Sequence, residues 1–177
     1  MPYAAVLVPD TESINKICTI SKLLYADNFS NYLFQTTLEP HITLGIFNNI
    51  NPDEIKDKLN FFCKSITKIK LILSQIGIFP TEETVIFLAP VMTKELFNIH
   101  VLFNQIFSDF KLSMDKYYLP DNWVPHFTLG MNINDLATAI ETVKNNFFAF
   151  QVTIEKLRLI EFLPGELKVF NLIDLEI

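Results

Sequence analysis

The chain opens on an unbroken apolar run of strand length, Tyr3 to Val8. Behind it Ile14, Ile17, Ser21 and Leu24 recur at helical spacing and predict a helix over about 11–26. The segment 27–38 has no such period and reads as an irregular or extended connection. A strand follows at 41–47. Ile55, Leu59, Phe62 and Ile66 then step by four, three and four, one face of a helix over 52–66. Two β-rich runs, 68–79 and 84–90, flank a turn and read as a hairpin. A wide apolar face predicts a helix over 93–110, and after a loop come a strand at 126–131, a helix at 135–147 and a closing hairpin over 149–176.

The second half of this pattern is the first half again. Pro40-His41-Ile42-Thr43-Leu44-Gly45 returns as Pro125-His126-Phe127-Thr128-Leu129-Gly130 at an offset of 85. Asn-Ile-Asn follows each copy, at 49–51 and at 132–134. The next helix repeats its face, with Leu136, Ile140, Val143 and Phe147 in the second copy. Asn51 and Asn134 stand where helix N-caps are expected, with Pro52 at the first helical position of the earlier copy. Pro80, Glu82, Val85 and Leu88 map onto Pro164, Glu166, Val169 and Leu172 at an offset of 84. The expected architecture is α+β: one domain spanning 1–177, made of two interleaved homologous lobes. Each lobe is an antiparallel sheet with helices outside, and a pseudo-twofold axis makes the sheets line a central cleft.

Composition narrows the function classes. At 177 residues the chain supports one well-built core without a disulfide or metal staple. Net charge is −6, and Arg158 is the only arginine, which argues against a broad surface for long nucleic acid because such binding needs many neutralising cations. A pocket for one small phosphate is untouched by that argument. Cys18 and Cys63 form no ligand cluster and read as small buried hydrophobes in a reducing compartment. No signal peptide and no membrane-spanning run is evident, so a cytoplasmic globular monomer is expected.

The repeated motif carries the chemistry. Side chains alternate along a strand, so His41 and Thr43 are expected on one side, as are His126 and Thr128, with Gly45 and Gly130 leaving space beside them. Leu44 and Leu129 are expected to point to the core. Across a pseudo-twofold axis, two imidazoles and two hydroxyls converge on one volume. An imidazole takes either protonation state near neutral pH, so one ring removes a proton while the other donates one. Cleavage of a phosphodiester or a cyclic phosphate needs that division of labour, and the hydroxyls with nearby backbone N–H groups hold the non-bridging oxygens. A lone His-x-Thr would read as a structural pair. Its duplication reverses that reading, since core packing has no reason to place the same polar pair at matching points of two halves. Two histidines without carboxylate neighbours make a poor zinc site, and no metal or other cofactor is implied.

The paired His-hydrophobic-Thr motifs, half a chain apart in a duplicated domain, resemble the 2H phosphoesterase superfamily. That group includes 2′-5′ RNA ligase-like proteins and cyclic nucleotide phosphodiesterases of tRNA-splicing pathways. The resemblance runs through the opening strand Tyr3–Val8, the segment Ile78-Phe79-Pro80-Thr81 and the helix with Leu96 and His100. It implies a bilobal α+β fold with metal-independent chemistry on 2′,3′-cyclic phosphates or 2′-5′ linkages. Under it His41 and His126 are the catalytic acid/base pair, and Thr43 and Thr128 bind phosphate.

Other residues are discounted. His100 lies mid-helix among Leu96, Phe103 and Phe107 without a repeat partner, and is read as structural. Trp123 takes the place of Leu38 in the first copy and is read as packing beneath the motif strand. Phe47, expected on the His41 face, and Tyr118, in the loop before the second motif, are the cleft aromatics to consider, though core packing is the favoured role for each. Lys68 and Lys70 read as a solvated face and Glu82-Glu83 as a turn. The nucleotide hydrolases with His-x-His-x-His do not fit, since each copy here has one histidine. The expected partner is a nucleotide or an RNA terminus. The alternative function is a non-catalytic module that binds RNA ends or nucleotides in the same cleft; an interaction scaffold ranks last.

Overall fold

The computed structural model describes residues 2–27, 29, 38–162 and 169–177. Most of the 27–38 connection, and the turn residues Pro164 and Glu166, lie outside them. Among the described residues seven strands form one antiparallel sheet: β1 Tyr3–Pro9, β2 Ile42–Phe47, β3 Ile69–Phe79, β4 Val85–Pro90, β5 Phe127–Gly130, β6 Phe150–Phe162 and β7 Val169–Glu176. Four helices accompany them among the described residues: α1 Thr11–Ala26, α2 Pro52–Lys64, α3 Lys94–Ile106 and α4 Leu136–Asn146. This is the α+β architecture expected, with the strands joined into a continuous sheet where β3 pairs with β6. The described helices include none long and apolar enough to cross a membrane.

Sheet order is β2-β1-β6-β3-β4-β5, with β7 beside β6. Read from both ends it pairs β2 with β5, β1 with β4 and β6 with β3. The two motif strands are therefore the two outer strands of that path, and the order is symmetric about the junction of β3 and β6. The repeat also holds in local detail. Asn49 and Asn132, which open the two Asn-Ile-Asn copies, both take φ 56°, a left-handed conformation that asparagine tolerates better than most residues.

One face of the sheet supports the main core. Leu7, Ile42, Leu44, Leu71, Ile86, Leu88, Leu129, Val152 and Leu159 are buried there against Ile17 and Leu24 of α1, Leu59 and Phe62 of α2 and Phe103 of α3. Each such side chain contributes roughly 1.5–3 kcal/mol of burial free energy. The other face carries a smaller cluster of Ala4, Val6, Val8 and Ile160.

Helix ends depart from expectation at two places. The cap of α4 is Asp135 and not Asn134: its carboxylate accepts from the Thr138 N–H at 3.2 Å and from the Thr138 hydroxyl at 2.8 Å, a charge-assisted pair that an amide does not match. The helix expected over 93–110 ends at Ile106, and the chain tightens into a 3-10 turn at Ser108–Phe110. Ser108 and Asp109 are poor helix formers because their side chains compete for backbone hydrogen bonds. Asn51 caps α2 as expected, accepting from Asp53 N–H at 3.1 Å. Cys63 is buried, Cys18 is half-buried, and both are free thiols.

Candidate active site

Both motif strands contain a β-bulge at the same point of the repeat. Ala5 pairs with Gly45 and Val6 with Thr43, which leaves Leu44 as an extra residue in β2. Ile86 pairs with Gly130 and Phe87 with Thr128, which leaves Leu129 as the extra residue in β5. Directly paired residues share a face of the sheet. Thr43 and Thr128 thus lie on the face of Val6 and Phe87, opposite the main core. Gly45 and Gly130 lie with Ala5 and Ile86 on the core side.

This overturns two expectations drawn from simple alternation. Gly45 does not open space beside His41: a Cβ there would meet Phe103 Cε1 at 2.9 Å and the Met114 side chain at 3.4 Å, so its missing side chain admits α3. Phe47 does not border the cleft. It is fully buried in the core, with ring centroids 5.5 Å from Phe107 and 6.1 Å from Phe103. The bulge inverts the phase of every residue after Leu44. Tyr118, in a 3-10 turn at Lys116–Tyr118, packs half-buried against the same core.

The two histidines precede their strands in the same way. The Nδ1–H of His41 donates to the Glu39 carbonyl at 2.8 Å, and that of His126 to the Val124 carbonyl at 2.7 Å. Each carbonyl is two residues back. In both rings this bond holds the proton on Nδ1, so Nε2 is the nitrogen available to take up or release one. Burial pushes the His41 pKa down to about 4, against the raising effect of the Glu39 carbonyl; charge on His126 and on Arg158 lowers it further. His126 is also lowered, by burial, with the Val124 carbonyl acting against it. The structure therefore brings His41 within electrostatic reach of His126.

Beyond the motifs the halves differ. On the His126 side, Phe87 lies between Thr128 and Gly77 in one row across β5, β4 and β3. Its ring lies over Gly77, where a Cβ would come within 2.2 Å of it. Phe79 stacks on Phe87 at 4.3 Å, and the His126 ring meets Phe79 edge-on at 4.8 Å and Phe87 at 5.1 Å. On the His41 side the equivalent row across β2, β1 and β6 is Thr43, Val6 and Arg158. Arg158 is buried and pairs with the Glu39 carboxylate at 2.7 Å. Sequence reading missed Arg158, Glu39, Phe79 and Phe87. The one available signal was that a lone arginine sits inside a predicted strand.

His100 and Trp123 are core residues, as read from the sequence. His100 is fully buried and stacks on Trp123 with centroids 3.8 Å apart and planes 4° apart. Burial pushes its pKa down to about 4 in spite of carbonyls that favour the charged form. Lys68 and Lys70 are exposed, as expected of a solvated face. A surface depression between the end of α2 and α3, lined by Ser65, Ile66, Thr67, Lys94, Asn98 and Leu102 among others, contains none of the candidate residues.

Comparison with known proteins adds to this geometry. A family model described as the 2′-5′ RNA ligase superfamily matches residues 27–166, well over half of the chain. No curated protein sequence matches. Among solved structures, LigT of E. coli in its apo form superposes with a TM-score of 0.67 at 12% identity, covering 99% of this chain and 96% of that one. E. coli LigT complexed with 3′-AMP gives 0.63 at 13% identity, again over 99% and 96%. The protein TT0787 of Thermus thermophilus gives 0.66 at 15% identity, over 99% and 97%. At these identities the structural likeness speaks for the fold.

Proposed function

The chain belongs to the 2′-5′ RNA ligase superfamily, and from that premise we propose that it is a metal-independent phosphodiesterase. Its substrates are 2′,3′-cyclic phosphates or 2′-5′ phosphodiester linkages, at RNA ends or in small nucleotides. The whole chain works as one domain of two interleaved halves. His41 and His126 are the acid/base pair, and Thr43 and Thr128 hold the phosphate. The observation that carries this reading is the matched anchoring of both imidazoles through Nδ1 to the carbonyl two residues back, which leaves both Nε2 atoms for proton transfer.

In hydrolysis of a cyclic phosphate, a neutral imidazole takes a proton from water as its oxygen bonds to phosphorus. One ester P–O bond breaks, and the charged imidazole protonates the departing sugar oxygen. The low pKa of His41 suits the neutral role in the free protein. A bound phosphate supplies the negative charge that raises the basicity of a facing ring, so the charged partner forms with substrate in place. The 3′-AMP complex of E. coli LigT suits a nucleotide-sized ligand. The charge of −6 favours ends and small nucleotides over long RNA.

The test is a screen against 2′,3′-cyclic nucleotides, 2′-5′-linked oligonucleotides and ADP-ribose cyclic phosphate, with EDTA present. The wild type is expected to turn over at least one with a bell-shaped pH profile. Loss of either histidine in His41→Ala or His126→Ala should reduce the rate by about 10²–10⁴-fold. Full activity in the double variant refutes the assignment. Saturable binding of a nucleotide 2′- or 3′-phosphate without turnover replaces the enzyme by a binding module.

A further inference from the structure

The bulge that follows Thr43 and Thr128 is held in both halves by buried side chains that the proton-transfer scheme leaves unused. In the first motif the His100 Nε2–H donates to the carbonyl of Leu44, the bulge residue, at 3.2 Å. The Trp123 indole N–H donates to the preceding carbonyl, Thr43, at 2.9 Å. The two donor rings stack on each other, so each fixes the plane of its neighbour. In the second motif the hydroxyl of Ser21, 3% exposed, donates to the carbonyl of Leu129, the equivalent bulge residue.

These contacts cross between the halves. His100 belongs to α3, which follows β4, yet it reaches β2. Ser21 belongs to α1, which follows β1, yet it reaches β5. Trp123 lies three residues before His126 and binds a carbonyl of the first motif. A bulge removes one residue from the strand ladder, so its carbonyl needs another partner when buried. Without that partner the strand gains by returning to regular pairing, and a one-residue slip exchanges the faces of the His-x-Thr segment relative to the residues after the bulge. Donor and facing are thereby linked.

We infer that His100, Trp123 and Ser21 are positioning residues for the two His-x-Thr motifs, acting crosswise through the carbonyls of Thr43, Leu44 and Leu129 in and beside the two bulges. His100 and Trp123 set the first motif, and Ser21 sets the second. The effect on turnover rests on the phosphodiesterase reading; the effect on motif geometry does not.

The chain has three histidines, so its imidazole NMR signals are few and are assigned by single substitutions. Trp123→Phe keeps an aromatic ring on His100 and deletes the indole donor; Ser21→Ala deletes only the hydroxyl. The expected result is crosswise: Trp123→Phe moves the His41 signals and leaves those of His126 in place, and Ser21→Ala does the reverse. On whichever substrate the wild type turns over, each variant should lower kcat by roughly 10- to 100-fold with KM nearly unchanged. Should Trp123→Phe not fold, His100→Phe tests the same motif by removing the donor to Leu44. Both variants disturbing both histidines alike, or neither variant disturbing its histidine, overturns the inference. So does a kcat that falls only as the folded fraction falls. If the wild type turns over nothing, the functional reading fails while the NMR comparison still decides the positioning.

Discussion

Acid should weaken this protein through His100. The ring is fully buried, stacked on Trp123 and bonded to the Leu44 carbonyl, and burial lowers its pKa from 6.5 to about 4. In the unfolded chain the same imidazole binds a proton near 6.5, whereas the folded protein does not bind it until about 4. Across that window the unfolded state holds the extra proton, so stability rises with pH. The contribution is complete above 6.5 and is lost as pH falls toward 4. A window of about 2.5 pH units at roughly 1.4 kcal/mol per unit sets a ceiling of about 3.5 kcal/mol. That is a large share of the ~5–15 kcal/mol that holds a domain folded. The assay is denaturant unfolding of the wild type and of His100→Phe above pH 6.5 and near pH 4. The variant loses the Leu44 bond, a roughly constant cost of about 1–3 kcal/mol, but it keeps the ring and has no proton to take up. Every other group that binds protons is common to both proteins and cancels in the difference. The wild type should lose more stability than the variant on acidification. Equal losses would refute the idea that the core holds His100 neutral.

Three further outcomes are expected. Gly77→Ala puts a methyl within 2.2 Å of the Phe87 ring, so it should cost about 1–3 kcal/mol in denaturant unfolding and shift the His126 imidazole signals; unchanged signals would mean that Phe87 does not support that ring. Phe47→Ala should cost about 3–5 kcal/mol, against at most ~0.5 kcal/mol for Phe148→Ala at an exposed position, and similar values for both would contradict the core placement of Phe47. Arg158→Met removes a positive charge that disfavours the charged form of His41, so the His41 NMR titration midpoint should rise; a fall would reverse the electrostatics argued here.

Much of the element pattern was legible because apolar spacing is a local property. Ile55, Leu59 and Phe62 marked α2, and all three are fully buried. The return of His41-Ile42-Thr43 as His126-Phe127-Thr128 pointed to a pseudo-twofold arrangement, and the palindromic sheet order is consistent with it. What escaped was phase. Alternation counted from His41 put Gly45 and Phe47 on the cleft side, and one inserted residue at Leu44 put both in the core. A bulge leaves no local mark, because the donors that stabilise it sit far along the chain in Ser21, His100 and Trp123. Arg158 escaped for a related reason: its row with Val6 and Thr43 exists only once β6 and β2 flank β1.

By itself, then, the sequence determined most of the elements and the two His-x-Thr pairs, since each depends on residues within a few positions of one another. The tertiary structure alone decided which way those strands face, which carbonyls anchor them, and that one motif faces an aromatic shelf while the other shares its face with a buried guanidinium. Those features depend on strand register and on side chains brought together from distant segments, and neither is encoded in local spacing.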